Sequence, residues 1–173
     1  MKTVSLDLTD PKSIQNAIDE LENFKKFIKE RVPIFIQRLA DEGVEIAKIR
    51  FSQAQYDGTN DVTVSYNKLS NKATAVIATG SATLFIEFGT GVLNPGHPDP
   101  ADQAFPHGGY GYGLGRLASW RYKGDPGTHG EPDPEHPGWI RTAGNPANAS
   151  LYLTVEDLKL RFRQIAEEVF NYD

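Results

Sequence analysis

The chain has 173 residues, with 39% hydrophobic and 24% charged side chains, a balance that suits one globular domain and argues against disorder throughout. Its net charge of −5 argues against a general nucleic-acid binder, which needs a basic footprint to displace counterions from phosphates. With no cysteine, disulfides and thiolate metal sites are excluded, and no apolar run has signal-peptide or membrane-span length, so a cytosolic product is expected.

Residues 2 to 8 place Val4, Leu6 and Leu8 on one face and Thr3, Ser5 and Asp7 on the other, which predicts a short half-buried strand. Asp10-Pro11 then supplies a cap acceptor and a proline at the first helical position. Ile14, Ile18, Leu21, Phe24 and Ile28 carry an amphipathic helix onward. Pro33 interrupts the pattern, and a second helix is expected from about Pro33 to Gln55, using Phe35, Leu39, Val44, Ala47 and Phe51. One kinked helix and a helical hairpin are both compatible with this reading. Gly43 within it either weakens the helix or admits another backbone closely.

Residues 56 to 60 form a turn cluster, followed by three strand candidates. Residues 61 to 67 alternate, with Val62, Val64 and Tyr66 on one side. Residues 73 to 79 are apolar on both faces and suit a central strand. Residues 83 to 88 set Leu84, Ile86 and Phe88 against Phe85 and Glu87. Short turns between them predict an antiparallel meander.

Composition then changes abruptly. Residues 89 to 144 hold 13 of the 16 glycines, 8 of the 11 prolines and all four histidines, and no helical or strand period is visible there. A loop of this length is generally functional or disordered. Its aromatics, Phe105, Tyr110, Tyr112, Trp120, Tyr122 and Trp139, predict that it docks on something. Helical pattern returns from Pro146 to Phe170, where Leu151, Val155, Leu158, Phe162, Ile165 and Val169 make one apolar seam.

Three chemistries deserve weighing. His97, His107, His129 and His136 lie among Asp99, Asp102, Glu131, Asp133 and Glu135, which a hard or borderline cation would accept. The spacing fits no fixed metal motif, and scattered polar loop residues are more often solvated. The ladder from Gly108 to Arg116 fits neither phosphate-loop pattern, and Arg116, Arg121 and Lys123 supply little charge for nucleic-acid stacking. Glu87 beside Phe85 and Phe88 could have a raised pKa, but it lacks an evident catalytic partner, so a solvent-side strand residue is the plainer expectation. No catalytic residue, cofactor or metal ligand is assigned.

Two stretches carry a more specific signal. Ala82-Thr83-Leu84-Phe85-Ile86-Glu87-Phe88-Gly89-Thr90-Gly91 resembles the A-x-x-[IV]-E-[FY]-G-T-G segment of small siphophage proteins known as head–tail joining, neck, tail-completion or minor tail components. Thr142-Ala143-Gly144-Asn145-Pro146-Ala147-Asn148 resembles the T-x-G-x-P-A segment that opens the last helix of that family. The tract with Trp120-Arg121-Tyr122-Lys123-Gly124 and Gly138-Trp139 is similar to its aromatic insertion. The resemblance covers most of residues 33 to 173, while the N-terminal strand and first helix lie outside it.

The resemblance implies a virion protein made in the host bacterial cytoplasm. Copies would form a ring between the head connector, or head-completion proteins, and the tail-terminator or tail-tube protein. No membrane is involved, and any DNA contact is passive passage through the channel. The expected fold is α+β. An antiparallel three- to four-stranded sheet packs against N-terminal helices and a long C-terminal helix, with a long Gly/Pro/aromatic-rich loop. The single domain divides into an N-terminal extension (1–32), helix and meander (33–88), loop insertion (89–144) and C-terminal helix (145–173). Phe85, Glu87, Phe88, Gly89, Thr90, Gly91, Gly144, Asn145 and Pro146 form the structural signature. In this reading Gly89 and Gly91 let the chain leave the sheet, and Asn145-Pro146 caps the last helix. Tyr110, Tyr112, Trp120, Tyr122 and Trp139 are the interface candidates. The rival expectations are a metal-dependent hydrolase using the histidine-bearing loop, and a monomeric phage-encoded binding module.

Overall fold

The computed structural model describes residues 5–89, 119–145 and 147–171. In chain order the described elements are α1 (Pro11–Ser52), β1 (Thr63–Ser70), β2 (Ala73–Thr79), α2 (Thr83–Phe88), β3 (Trp120–Tyr122), β4 (Glu131–Pro132), β5 (Ile140–Thr142) and α3 (Ser150–Val169). The fold is α+β, as expected, but its antiparallel strands form two separate sheets, β1-β2 and β3-β5-β4, rather than one.

Residues 5 to 8 are irregular and run into a turn, so the described part of the expected N-terminal strand is not one. Leu6 and Leu8 are exposed and face no sheet. Asp7 builds the turn instead, its carboxylate accepting the Thr9 amide at 2.9 Å and the Thr9 hydroxyl at 2.7 Å. Asp10 caps α1 as the sequence implies, accepting the Lys12 amide at 3.0 Å with Pro11 in the first turn.

The helix that follows is continuous over 42 residues and passes through Pro33. An interior proline costs a helix about 3 kcal/mol, because it removes one hydrogen bond and crowds the preceding turn. Packing just after Pro33 opposes that cost. Phe35 is buried with Ile165 and Val169, and its ring lies 5.1 Å edge-on from Phe162 and 5.4 Å from Phe170. Aromatic contacts of this geometry add stabilisation beyond the area they bury.

From Phe35 onward α1 is the central pillar of the protein. α3 runs antiparallel beside it, marked by ion pairs of Arg38 with Glu168 at 2.9 Å, Arg50 with Asp157 at 2.6 Å, and Arg161 with Glu42. The β1-β2 hairpin packs on the same half of α1, and Val44, Ala47, Phe51, Val64, Ala82 and Ile86 form the main core. At Gly43 an added Cβ would lie 3.1 Å from both the Leu158 and Val76 side chains. Gly43 thus sits where α1, α3 and β2 meet closely through side chains rather than a crossing backbone, and a larger residue there requires Leu158 and Val76 to give by a few tenths of an ångström. The α3 seam is only partly as expected. Ile165 and Val169 are buried, but Val155 and Phe162 are half-exposed, and Thr154 is buried with its hydroxyl on the Ser150 carbonyl at 2.7 Å.

β1 and β2 pair from Thr63↔Thr79 to Ser70↔Ala73, with an irregularity between Lys68 and Ser70. β2 spans the residues the sequence implies, but among the described residues it has one strand partner and is not central. The third expected strand, residues 83 to 88, is the short helix α2. Asp61 starts that helix. Its carboxylate accepts the Ser81 and Ala82 amides at 2.8 and 2.9 Å and the Ser81 hydroxyl at 2.7 Å. Those bonds hold the Asp61 carboxyl at about 2, below the usual carboxylate range. Burial then follows Ala82, Thr83, Ile86 and Glu87, a helical rather than an alternating set.

The tract expected to lack regular structure is also corrected. Within it, residues 119 to 144 carry the small sheet, with Trp120↔Thr142, Arg121↔Arg141 and Tyr122↔Ile140 on one side of β5 and Glu131↔Arg141 on the other.

Candidate functional site: the Glu87 junction and its aromatic cleft

The two stretches of the resemblance meet in space, and Glu87 is the residue that joins them. It is 3% exposed. One carboxylate oxygen accepts the Leu151 amide at 2.8 Å and the other the Tyr152 amide at 3.1 Å. Those amides belong to the first turn of α3, which has no side-chain cap of its own. Glu87 thus supplies, from 64 residues away in the chain, the acceptor that a helix N-terminus requires. It is neither a solvent-side strand residue nor a group presented to a substrate.

Backbone bonds reinforce the junction. The Asn148 amide donates to the Ile86 carbonyl at 2.8 Å and the Ala149 amide to the Glu87 carbonyl at 3.1 Å. Ala149 is fully buried with a left-handed backbone, φ 49° and ψ 41°, a conformation that costs a non-glycine residue about 1–2 kcal/mol. The Asn148 side chain reaches the Arg50 carbonyl at 3.2 Å and the Asn60 side chain reaches the Phe51 carbonyl at 2.8 Å. These bonds satisfy acceptors at the end of α1.

Asn145 does not cap α3, because that helix begins five residues later, at Ser150. It is 2% exposed and its side-chain oxygen accepts the Asp57 amide at 2.8 Å. Asp57, also buried, accepts the His129 amide at 2.7 Å and the Thr142 hydroxyl. The small sheet is therefore tied to the turn after α1 by one carboxylate. Gly127 permits this approach: an added Cβ would sit 2.2 Å from the Tyr56 carbonyl oxygen, and its φ is +63°. Gly89, with φ 77°, uses the backbone freedom expected of it, although it ends a helix rather than a strand, and Gly144 has φ 96°. Thr90, Gly91 and Pro146 lie outside the described residues.

Between the junction and the small sheet is an open cleft of about 690 Å³, with Tyr56, Phe85, Trp120, Tyr122 and Lys123 in its walls. Gly89 also lines it. Burial, with Asp57, Tyr56 and Asp125 nearby, pushes the Tyr122 phenol up to about 12, and its hydroxyl donates to the Asp125 carbonyl at 2.7 Å. Burial likewise raises the Tyr56 phenol. Of the expected interface aromatics, Trp120 and Tyr122 are half-buried cleft walls. Trp139 stands apart from the cleft, with the Lys123 ammonium 5.2 Å over its ring. Tyr110 and Tyr112 fall outside the described residues.

The outer face of α2 adds Leu84, 67% exposed, and Phe85, 50% exposed. The sequence pattern places both in a strand, on sides set by alternation, whereas they share the outer face of a helix. The two-carboxylate cap pattern, Asp61 for α2 and Glu87 for α3, was also missed, since both act across long sequence separations. One local signal existed: the absence of a good cap residue immediately before Ser150.

Asp133, Glu135 and His136 are the described group closest to a metal site. Asp133 is already engaged. Its side chain accepts Arg121 and the Glu135 amide at 2.8 Å, and lies 3.3 Å from His136 Nδ1. The Arg121 hydrogen bond is the first cause that holds the Asp133 carboxyl at about 2. A guanidinium occupies the place a cation would take, so these residues do not fit a metal ion. His97, His107, Asp99 and Asp102 lie outside the described residues. Among the described residues no helix is long and apolar enough to cross a membrane.

No protein-family model, curated protein or solved structure matches this chain.

Replacing Glu87 with alanine leaves two part-buried first-turn amides of α3 without their acceptor, and the expected loss is about 2–4 kcal/mol of stability. Glu87→Gln keeps one strong acceptor and should lose less than half of that. Urea unfolding of the two variants measures both. A pH series should separate a different pair of groups. Asp61 and Asp133 have folded values of about 2, against an unfolded value near ~3.9. Depressed folded values make the stabilisation fully present above about pH 4 and lost as pH falls toward about 2. The urea midpoint should therefore drop across that window, and less steeply in Asp61→Asn.

Proposed function

We propose that this protein is a structural assembly component of the head–tail interface of a long-tailed bacteriophage, working in the neck or in tail completion. Copies form a ring between the head connector or head-completion proteins and the tail-terminator or tail-tube protein. The observation that carries this reading is the junction at Glu87. The two stretches that resemble the family lie far apart in sequence yet meet there as one unit, with Glu87 of the first capping the helix introduced by the second.

Two further features support the reading. Leu84 and Phe85 stand exposed on α2, next to a cleft walled by Trp120 and Tyr122. Aromatic anchors beside a concave surface are what protein interfaces use for affinity. The described buried carboxylates, Asp57, Glu87 and Asp133, are each held by donors of their own chain, so they act as framework. The net charge of −5 suits a channel that DNA must pass without being gripped by phosphate contacts.

The test is electron microscopy of lysates from the parent phage or induced prophage with this reading frame silenced. Filled heads and free tails lying unjoined, or aberrant tail ends, are expected. The wild-type chain supplied in trans should restore joined particles, and the double variant Leu84→Asp, Phe85→Asp should not. Normal infectious particles in the silenced lysate would overturn the proposal.

A further inference from the structure

The chemistry of the cleft wall restricts what the cleft can hold. Trp120 and Tyr122 both line it, and as residues two apart on β3 they share one face of the small sheet. Their positions are about 7 Å apart along the strand. Tyr56 and Phe85 complete the aromatic part of the wall. The volume of about 690 Å³ lies within the range of ligand pockets.

The polar side chains of the wall are biased toward donors. Its carboxylates and amide are engaged within the chain. Asp57 accepts the His129 amide at 2.7 Å and the Thr142 hydroxyl, the Asn145 oxygen accepts the Asp57 amide at 2.8 Å, and Asp125 Oδ1 accepts the Gly127 amide at 2.8 Å. The Trp120 indole N–H and the Tyr56 hydroxyl, by contrast, have no hydrogen-bond partner among the described residues. Burial raises the Tyr56 phenol, so it stays a donor through neutral pH. The Tyr122 hydroxyl is spent on the Asp125 carbonyl, which leaves its ring as apolar wall.

The occupant that suits such a wall offers acceptors and flat apolar surface, and few donors. A proline-rich segment does so. Each proline lacks an N–H, its carbonyl has no internal partner in the polyproline II helix, and its ring packs on aromatic faces. That helix advances about 6 Å in two residues, close to the separation of Trp120 and Tyr122. A carbohydrate fits less well, since every hydroxyl brings a donor that needs an acceptor. We infer that the cleft binds a proline-rich segment of a partner protein in the polyproline II conformation, its rings against Trp120, Tyr122 and Tyr56 and its carbonyls on the indole N–H and the Tyr56 hydroxyl. The inference rests on the reading of the cleft as an interface and names the chemistry that docks there. Peptide binding by the purified chain and particle morphology are separate readouts, so either can fail without the other.

Titration of the isotope-labelled full chain with acetylated decaproline, followed by the two indole N–H resonances, tests this. The Trp120 resonance should shift with a dissociation constant on the order of 100 µM and move far more than that of Trp139, which stands apart from the cleft. A glycine-serine peptide of equal length should shift neither. Tyr56→Phe and Trp120→Phe each keep a ring and lose one donor, so calorimetry should find binding weakened about fivefold in each, whereas Trp139→Phe should leave it unchanged. No shift of Trp120 at about 2 mM decaproline, well above the expected dissociation constant, would overturn the inference. So would binding indifferent to both Tyr56→Phe and Trp120→Phe. A shift produced by maltohexaose and not by decaproline would overturn it in favour of a carbohydrate.

Discussion

A carboxylate removed from water must be met by donors, or its burial is not stable. Glu87 is almost fully buried, and α3 offers it the two amides that a helix start leaves without partners. Each half of the junction thus resolves the other's deficit. Without Glu87, α3 would begin on a left-handed alanine with no side-chain acceptor. Without α3, the Glu87 side chain would be buried without the two amides that meet it. The position of α2, which ends at Gly89, follows from this pairing.

Asp57 does the same for the small sheet, binding the His129 amide and the Thr142 hydroxyl while its own amide is held by Asn145. Two buried carboxylates therefore fix where the Gly- and Pro-rich tract returns to the body. Between them lies the aromatic cleft, with the exposed face of α2 at its edge. In the neck reading this rigid framework presents Leu84, Phe85, Trp120 and Tyr122 at one edge of a small domain. Rigid presentation lowers the ordering cost of docking, which suits an assembly part.

The sequence is most legible where a single local rule decides. Asp10-Pro11 marks the start of α1, and residues 73 to 79 mark β2 to the residue. It is least legible where distant groups decide. TLFIEF reads equally as strand or helix, since short apolar runs carry both periods. Asp61, twenty residues upstream of Ser81, settles it by capping α2. Pro33 reads as a break because its cost is local, while the Phe35 packing that outweighs it comes from the other end of the chain. The strands at Trp120 and Ile140 are three residues each, too short to show a period. Glu87 reads from its neighbours as a solvent-side strand residue, because the partners that bury it, the Leu151 and Tyr152 amides, carry no side-chain signal in the sequence.

The central claim is that α2 and α3 are locked together by the Glu87 carboxylate as one cooperative unit. Native-state hydrogen exchange of the Leu151 and Tyr152 amides tests it most directly, since first-turn helix amides otherwise exchange by local fraying. Exchange of both only through global unfolding in the wild type, with a selective loss of protection in Glu87→Ala while the middle of α3 stays protected, is the predicted result. Rapid exchange of Leu151 and Tyr152 in the wild type, or protection unchanged by the substitution, would contradict the account.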